Sequence, residues 1–139
     1  PPSGYYSSEM TDTRCGKVLP APPAANIEAN MYRSHLRSRT WYFDRLDWFY
    51  GQVRNSGAWD YKQQGSMYED FGNFNFGATG TAANFSRGLL ARGAGFASQR
   101  ADPTRTGLGN WYGRFPYGDD PSDQVQIAKG AEFCECMGY

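Results

Sequence analysis

The stretch Asn26-Ile27-Glu28-Ala29-Asn30-Met31-Tyr32-Arg33-Ser34-His35-Leu36 decides the fold class. Asn26 is a good N-cap, and Ile27, Met31, Tyr32 and Leu36 recur at the spacing of one helical face. The pattern pauses near Thr40. A second stripe follows in Phe43, Leu46, Phe49, Tyr50 and Val53, with Asp44, Arg45, Asp47 and Arg54 on the other side and Asn55-Ser56-Gly57 as a stop. Two helices, or one bent helix, are therefore expected before residue 55. Upstream, Pro1, Pro2, Pro20, Pro22 and Pro23 deny helix, so residues 1–25 read as an extended arm.

Downstream, residues 82–100 read as a further helix with Phe85, Leu89, Leu90, Phe96 and Ala97 inward. After a turn-rich stretch over 101–118, Asp120-Pro121-Ser122-Asp123-Gln124 supplies an N-cap, a proline at the first helical position and an acid in the first turn. The last helix should start at Pro121, burying Val125, Ile127, Ala128, Ala131 and Phe133 and ending before Gly138. The expectation is a mainly α, single compact helical domain over residues 1–139. It has a Pro-rich arm over 1–25, a globular body over 26–139, a Gly- and aromatic-rich active-site loop segment, and room for a short β element.

Composition bounds the function. The 139 residues carry 14 Lys plus Arg against 14 Asp plus Glu, so the formal net charge is zero. That removes the electrostatic footprint of a phosphate-binding surface, and no nucleic-acid partner is expected. No apolar run approaches the roughly 20 residues needed to span a bilayer, so no membrane partner is expected either. Aromatics make up 17% of the chain, too many for a disordered one. The start, Pro1-Pro2-Ser3-Gly4-Tyr5-Tyr6, is neither a signal peptide nor an initiator methionine, and reads as a processed product or an excised domain. A monomer is expected.

There is one histidine, His35, amid Arg33, Arg37 and Arg39. Two-histidine ribonucleases, Ser-His-Asp hydrolases and multi-histidine zinc enzymes lose their key groups, and His35 reads as a structural residue. No metal and no cofactor are implied. Cys15 lies far from the close pair Cys134 and Cys136; a bridge from Cys15 to either would close a loop of about 120 residues and suit an exported protein.

Carboxylates remain. Residues 56–81 form a glycine-punctuated track of aromatics and amides containing Asp60, Glu69 and Asp70. A glycosidase needs one carboxyl held protonated by apolar surroundings and one ionised. Glu69, flanked by Met67, Tyr68 and Phe71, suits the acid; Asp60, between Trp59 and Tyr61, or Asp70 suits its partner. Trp59, Tyr61, Asn73, Phe74, Asn75 and Phe76 offer the aromatic faces and amides that sugar sites combine. Thr79, in the following turn, completes the candidate substrate-binding set. Asp119, Asp120 and Asp123 admit a carboxylate cluster, although helix capping explains them more cheaply.

Three blocks carry a family resemblance: Trp59-Asp60-Tyr61-Lys62-Gln63, then Tyr68-Glu69-Asp70-Phe71-Gly72-Asn73-Phe74-Asn75-Phe76-Gly77-Ala78-Thr79-Gly80, and Tyr117-Gly118-Asp119-Asp120-Pro121-Ser122-Asp123-Gln124. Over about residues 21–133 the chain resembles the polymorphic toxin type 44, or bacterial toxin 44, family, and is similar to small secreted fungal muramidases of lysozyme type. The resemblance implies an exported protein, secreted or delivered to a target-cell periplasm. It also implies a muramidase that cleaves the β-1,4 bond between N-acetylmuramic acid and N-acetylglucosamine in bacterial peptidoglycan. A delivered toxin would bring an immunity protein as partner. A nuclease-type toxin, with Asp119, Asp120 and Glu69 around a metal, and a non-catalytic wall-binding module are the other expectations. The neutral charge favours the muramidase.

Overall fold

The computed structural model describes residues 14–16 and 19–139. The described residues build five α-helices: α1 (Ile27–His35), α2 (Tyr42–Val53), α3 (Glu69–Ala82), α4 (Arg87–Ala101) and α5 (Pro121–Cys136). Two short 3-10 turns, Tyr61–Gln64 and Ser66–Tyr68, lead into α3. There is no strand among the described residues, only isolated bridge residues at Gly16 and Leu19. Most of the expected arm, residues 1–13, 17 and 18, lies outside the described residues; its end is packed, with Pro22 and Ala25 buried and the Ala25 amide donating to the Pro22 carbonyl.

The capping chemistry does what the sequence asks of it. Asn26 Oδ1 accepts from the Ala29 amide at 2.9 Å, and Asp120 Oδ1 accepts from the Ser122 amide at 2.8 Å with Pro121 at the first helical position. Between α1 and α2 the chain breaks into a turn over 36–41 rather than bending through.

The Gly- and aromatic-rich segment is where structure and expectation part. Residues 69–82 are not a loop but α3, the central helix, with Phe71, Phe74, Asn75, Ala78 and Thr79 buried. Each fully buried Phe contributes roughly 1.5–3 kcal/mol, and here that burial outweighs the poor helix propensity of glycine and asparagine. The helix expected over 82–100 is α4, which starts only at Arg87 after a turn in which Asn84 has φ +70°. On α4, Leu90 faces the core while Leu89, Phe96 and Ala97 face solvent; on α5, Val125 and Ala128 also point outward.

Helix α3 packs against α5 at backbone distance. A Cβ added at Gly77 would overlap the Ile127 carbonyl oxygen, and one added at Gly130 would overlap that of Phe74. Only glycine permits this approach. The helices run parallel: Glu69 and Asp70, which begin α3, act electrostatically on Asp123 in the first turn of α5. At the other end Arg87, just past α3, meets Glu132 and Glu135 at 3.8 and 3.0 Å. Helix α4 returns antiparallel, with Gln124 Nε2 donating to the Ala91 carbonyl at 3.1 Å. Phe49 of α2 caps the assembly between Phe76 and Phe85, ring centroids 5.6 and 5.4 Å away. A disulfide between Cys15 and Cys136 ties the segment before α1 to the end of α5, and Cys134 is free and buried.

Candidate functional site

The parallel pairing brings two helix N-termini to one end of the molecule, and both carry acids. Glu69 and Asp70 open α3; Asp119, Asp120 and Asp123 open α5. The partial positive charge of the helix ends favours such acids in the first turn. Their mutual repulsion opposes that, and the charge of Arg105 acts on Asp120 in the opposite sense.

The acids differ in what surrounds them. Asp120 is spent on capping: its carboxylate accepts from the Ser122 amide and hydroxyl, which lowers its pKa. Asp119 is buried and accepts from Gln124 Nε2 and the Asp120 amide, both at 2.9 Å. Burial nonetheless raises its pKa. Asp123 is half-buried, and its Oδ1 is enclosed without a hydrogen-bond partner among the described residues. Loss of solvent, then the charges of Glu69, Asp119, Asp120 and Asp70, push its pKa up from 3.8 to about 7. An enclosed carboxyl oxygen with no donor beside it is poorly suited to carry charge, which is the physical cause of the raised pKa of Asp123. Glu69 and Asp70 are exposed on the facing helix end.

The residues expected to bind substrate are mostly elsewhere. Trp59, Tyr61, Asn75 and Thr79 are buried. Asn30 Nδ2 donates to Tyr61 Oη at 2.8 Å and to Asn75 Oδ1 at 3.0 Å, a link between α1, the first 3-10 turn and α3. Thr79 Oγ1 donates to the Asn75 carbonyl at 2.6 Å. These four are core residues, removed from any open surface. Phe76 is partly buried against Phe49, and Asn73 Nδ2 donates to the Glu69 carbonyl at 3.2 Å, so Asn73 stays beside the acidic end. Asp60 accepts from the Ser56 amide at 2.9 Å and is not among the acids acting on Asp123. His35 is half-buried with its ring edge-on to Tyr139, a structural placement.

Sequence reasoning assigned Asp123 to helix capping and passed over the segment before α5. That segment presents Trp111, Tyr112 and Phe115 to solvent, with Trp111 edge-on to Phe96 at 5.7 Å and Arg92 stacked over Tyr117 at 4.8 Å. An open groove of about 200 Å³ runs between α4 and α5, lined by Leu90, Ala91, Phe115, Tyr117, Gln124 and Ile127, among others. Gln124 joins the groove to the acidic end, because the same amide bonds Asp119. A signal existed in sequence: acids at 119, 120 and 123 exceed what one helix cap uses. Among the described residues no three Asp, Glu, His or Cys side chains converge in a metal cage.

A scan against family models matches the family described as bacterial toxin 44 over residues 47–135, more than half of the chain. The chain belongs to the bacterial toxin 44 family. Comparison with curated proteins and with solved structures gives no match. The family match takes in the acids of both helix ends and leaves α1 outside it.

Proposed function

We propose that the chain is a peptidoglycan hydrolase of muramidase type, acting on the β-1,4 bond between N-acetylmuramic acid and N-acetylglucosamine. One observation carries the reading: Asp123, whose Oδ1 is enclosed without a hydrogen-bond partner among the described residues and whose pKa burial and neighbouring acids push up to about 7, lies within the electrostatic reach of the exposed carboxyl groups of Glu69 and Asp70 on a neighbouring helix. Glycoside hydrolysis requires that division of labour between an acid and an ionised partner. Asp123 is the general acid that gives its proton to the glycosidic oxygen. Glu69 and Asp70 are the partner carboxyls that activate water or meet the developing cation, and Glu69 takes this role in place of the acid role expected from its apolar neighbours in sequence. The aromatic faces of Phe115 and Tyr117 in the groove along α5, and the amide of Asn73 beside Glu69, fit a sugar chain. No cofactor enters the scheme.

As a bacterial toxin 44 protein acting on peptidoglycan, the chain would work outside the cytoplasm, secreted or delivered to a target periplasm. An immunity protein would be its natural antagonist if it is delivered. Purified peptidoglycan incubated with wild type, Asp123→Asn and Glu69→Gln tests the reading, with new reducing ends identified by mass spectrometry. Wild type should release fragments ending in muramic acid, and each variant should lose at least about 100-fold in kcat. No new reducing ends with wild type would sink the proposal. Chelator-sensitive degradation of RNA or DNA would select a nuclease-type toxin, and wall binding without products a binding module.

A further inference from the structure

The connection between α1 and α2 exposes large apolar side chains that the fold does not use. Leu36 is 61% exposed, Trp41 66% and Phe43 64%. This is not slack chain. The guanidinium of Arg45, itself buried, donates to the Ser38 carbonyl at 2.6 Å and stacks over Tyr42 and Phe85. Thr40 donates to the Arg37 carbonyl through both its amide and its hydroxyl. Tyr42 is edge-on to Phe85, while the rings of Trp41 and Phe43 lie 5.9 Å apart on the outside. A rigid tip thus holds apolar groups in water, at a standing hydrophobic cost unless something covers them.

The charge around the tip says what covers it. From Ala29 to Phe43 there is no acid, while Arg33, Arg37 and Arg39 are all exposed. Arg37 is stacked over Trp48 at 4.8 Å and Arg33 over Trp59 at 5.9 Å, and neither forms an ion pair among the described residues. Asp44, the next acid, opens α2. Guanidiniums around exposed Leu, Trp and Phe match a surface whose phosphates lie above hydrocarbon. Leu36 separates this from the alternatives, since an aliphatic side chain has no π-face for a base or a sugar ring. No helix of the described residues is long and apolar enough to cross a membrane, so contact of this kind is peripheral.

We propose that the α1–α2 tip docks the protein on an anionic lipid bilayer, with Trp41, Phe43 and Leu36 entering the interface and Arg37 and Arg39 meeting headgroup phosphates. The docking surface is separate from the acidic end of α3 and α5, and its test needs no catalytic activity. Co-sedimentation compares vesicles of equal parts phosphatidylglycerol and phosphatidylcholine with vesicles of phosphatidylcholine alone. Partitioning should be at least about tenfold stronger on the anionic vesicles, because each arginine near such a surface adds about 1 kcal/mol, which corresponds to roughly fivefold. Trp41→Ser/Phe43→Ser should weaken it at least about tenfold. Both side chains are largely exposed, so circular dichroism of that variant should match wild type. Arg37→Gln/Arg39→Gln should remove the preference for anionic lipid.

No partitioning onto either vesicle would overturn the proposal, as would binding that the Trp41/Phe43 change leaves intact, which marks charge adsorption alone. Self-association in free solution that is lost in the same variant would give the tip to a second copy of the chain. Full displacement from vesicles by a single-stranded oligonucleotide would give it to a nucleic acid.

Discussion

The two ends of the α3–α5 pair are built on opposite terms. At the C-terminal end the helices are secured: Cys136 is bridged to Cys15, Arg87 bonds Glu135, and Cys134 and Phe133 are buried. At the N-terminal end Glu69, Asp70, Asp119 and Asp120 all act electrostatically on Asp123, and with its burial they push its pKa up to about 7. Between them, Gly77 and Gly130 bring the backbones together. The difference teaches that close helix approach does two jobs. It builds the core, and it forces the opposite end into a crowded arrangement that would spread apart on a looser pair.

The largest perturbation should come from releasing the secured end. Cys136→Ser opens a loop spanning 121 residues and should cost about 4 to 5 kcal/mol in the chain-entropy account, read as a lower urea midpoint. If the midpoint hardly moves, the secured end is held by packing and ion pairs alone. Next comes the crossing. Gly77→Ala places a methyl group against the Ile127 carbonyl and should cost about 3 kcal/mol despite alanine's better helix propensity. By separating the helices it should also lower the pKa of Asp123, visible by carboxyl NMR. A stability loss with an unchanged Asp123 would break the link between the two ends.

A third effect is a slope across pH. Asp123 has a folded pKa of about 7 against 3.8 unfolded, so the folded state binds the extra proton between those values. This contribution to stability is fully present below about pH 4 and is lost as pH rises to about 7. Asp123→Asn should flatten that part of the stability profile, and an unchanged slope would mean that Asp123 does not hold the proton. Catalysis should follow the same group: wall hydrolysis by wild type should fall as pH rises through about 7.

What the sequence made legible was what rests on local signals. Asn26 and Asp120 cap their helices as expected, and of the expected stripe Ile27 and Met31 face inward while Tyr32 and Leu36 are exposed. Helix α3 was illegible for a physical reason. Gly72, Gly77 and Gly80 with Asn73 and Asn75 resemble a loop, yet Gly77 is required by a partner helix some 50 residues away in sequence. The same blindness hid the acidic end: Glu69 reads as a candidate acid in sequence, but the acid it acts on comes from α5, and only the parallel crossing joins them. Trp59 and Tyr61 looked like sugar platforms because sequence does not reveal that Asn30 of α1 closes over Tyr61.

The bridge from Cys15 to Cys136 also bears on survival in the presence of proteases. A long exposed segment without regular helix, with Arg105 and Arg114 exposed, lies between the bridged cysteines. A cut after Arg105 leaves α5 on one fragment and α1 through α4 on the other, still covalently joined. On a gel without reductant the nicked protein keeps the mass of one chain, and its two halves stay within reach of one another to re-form the glycine crossing.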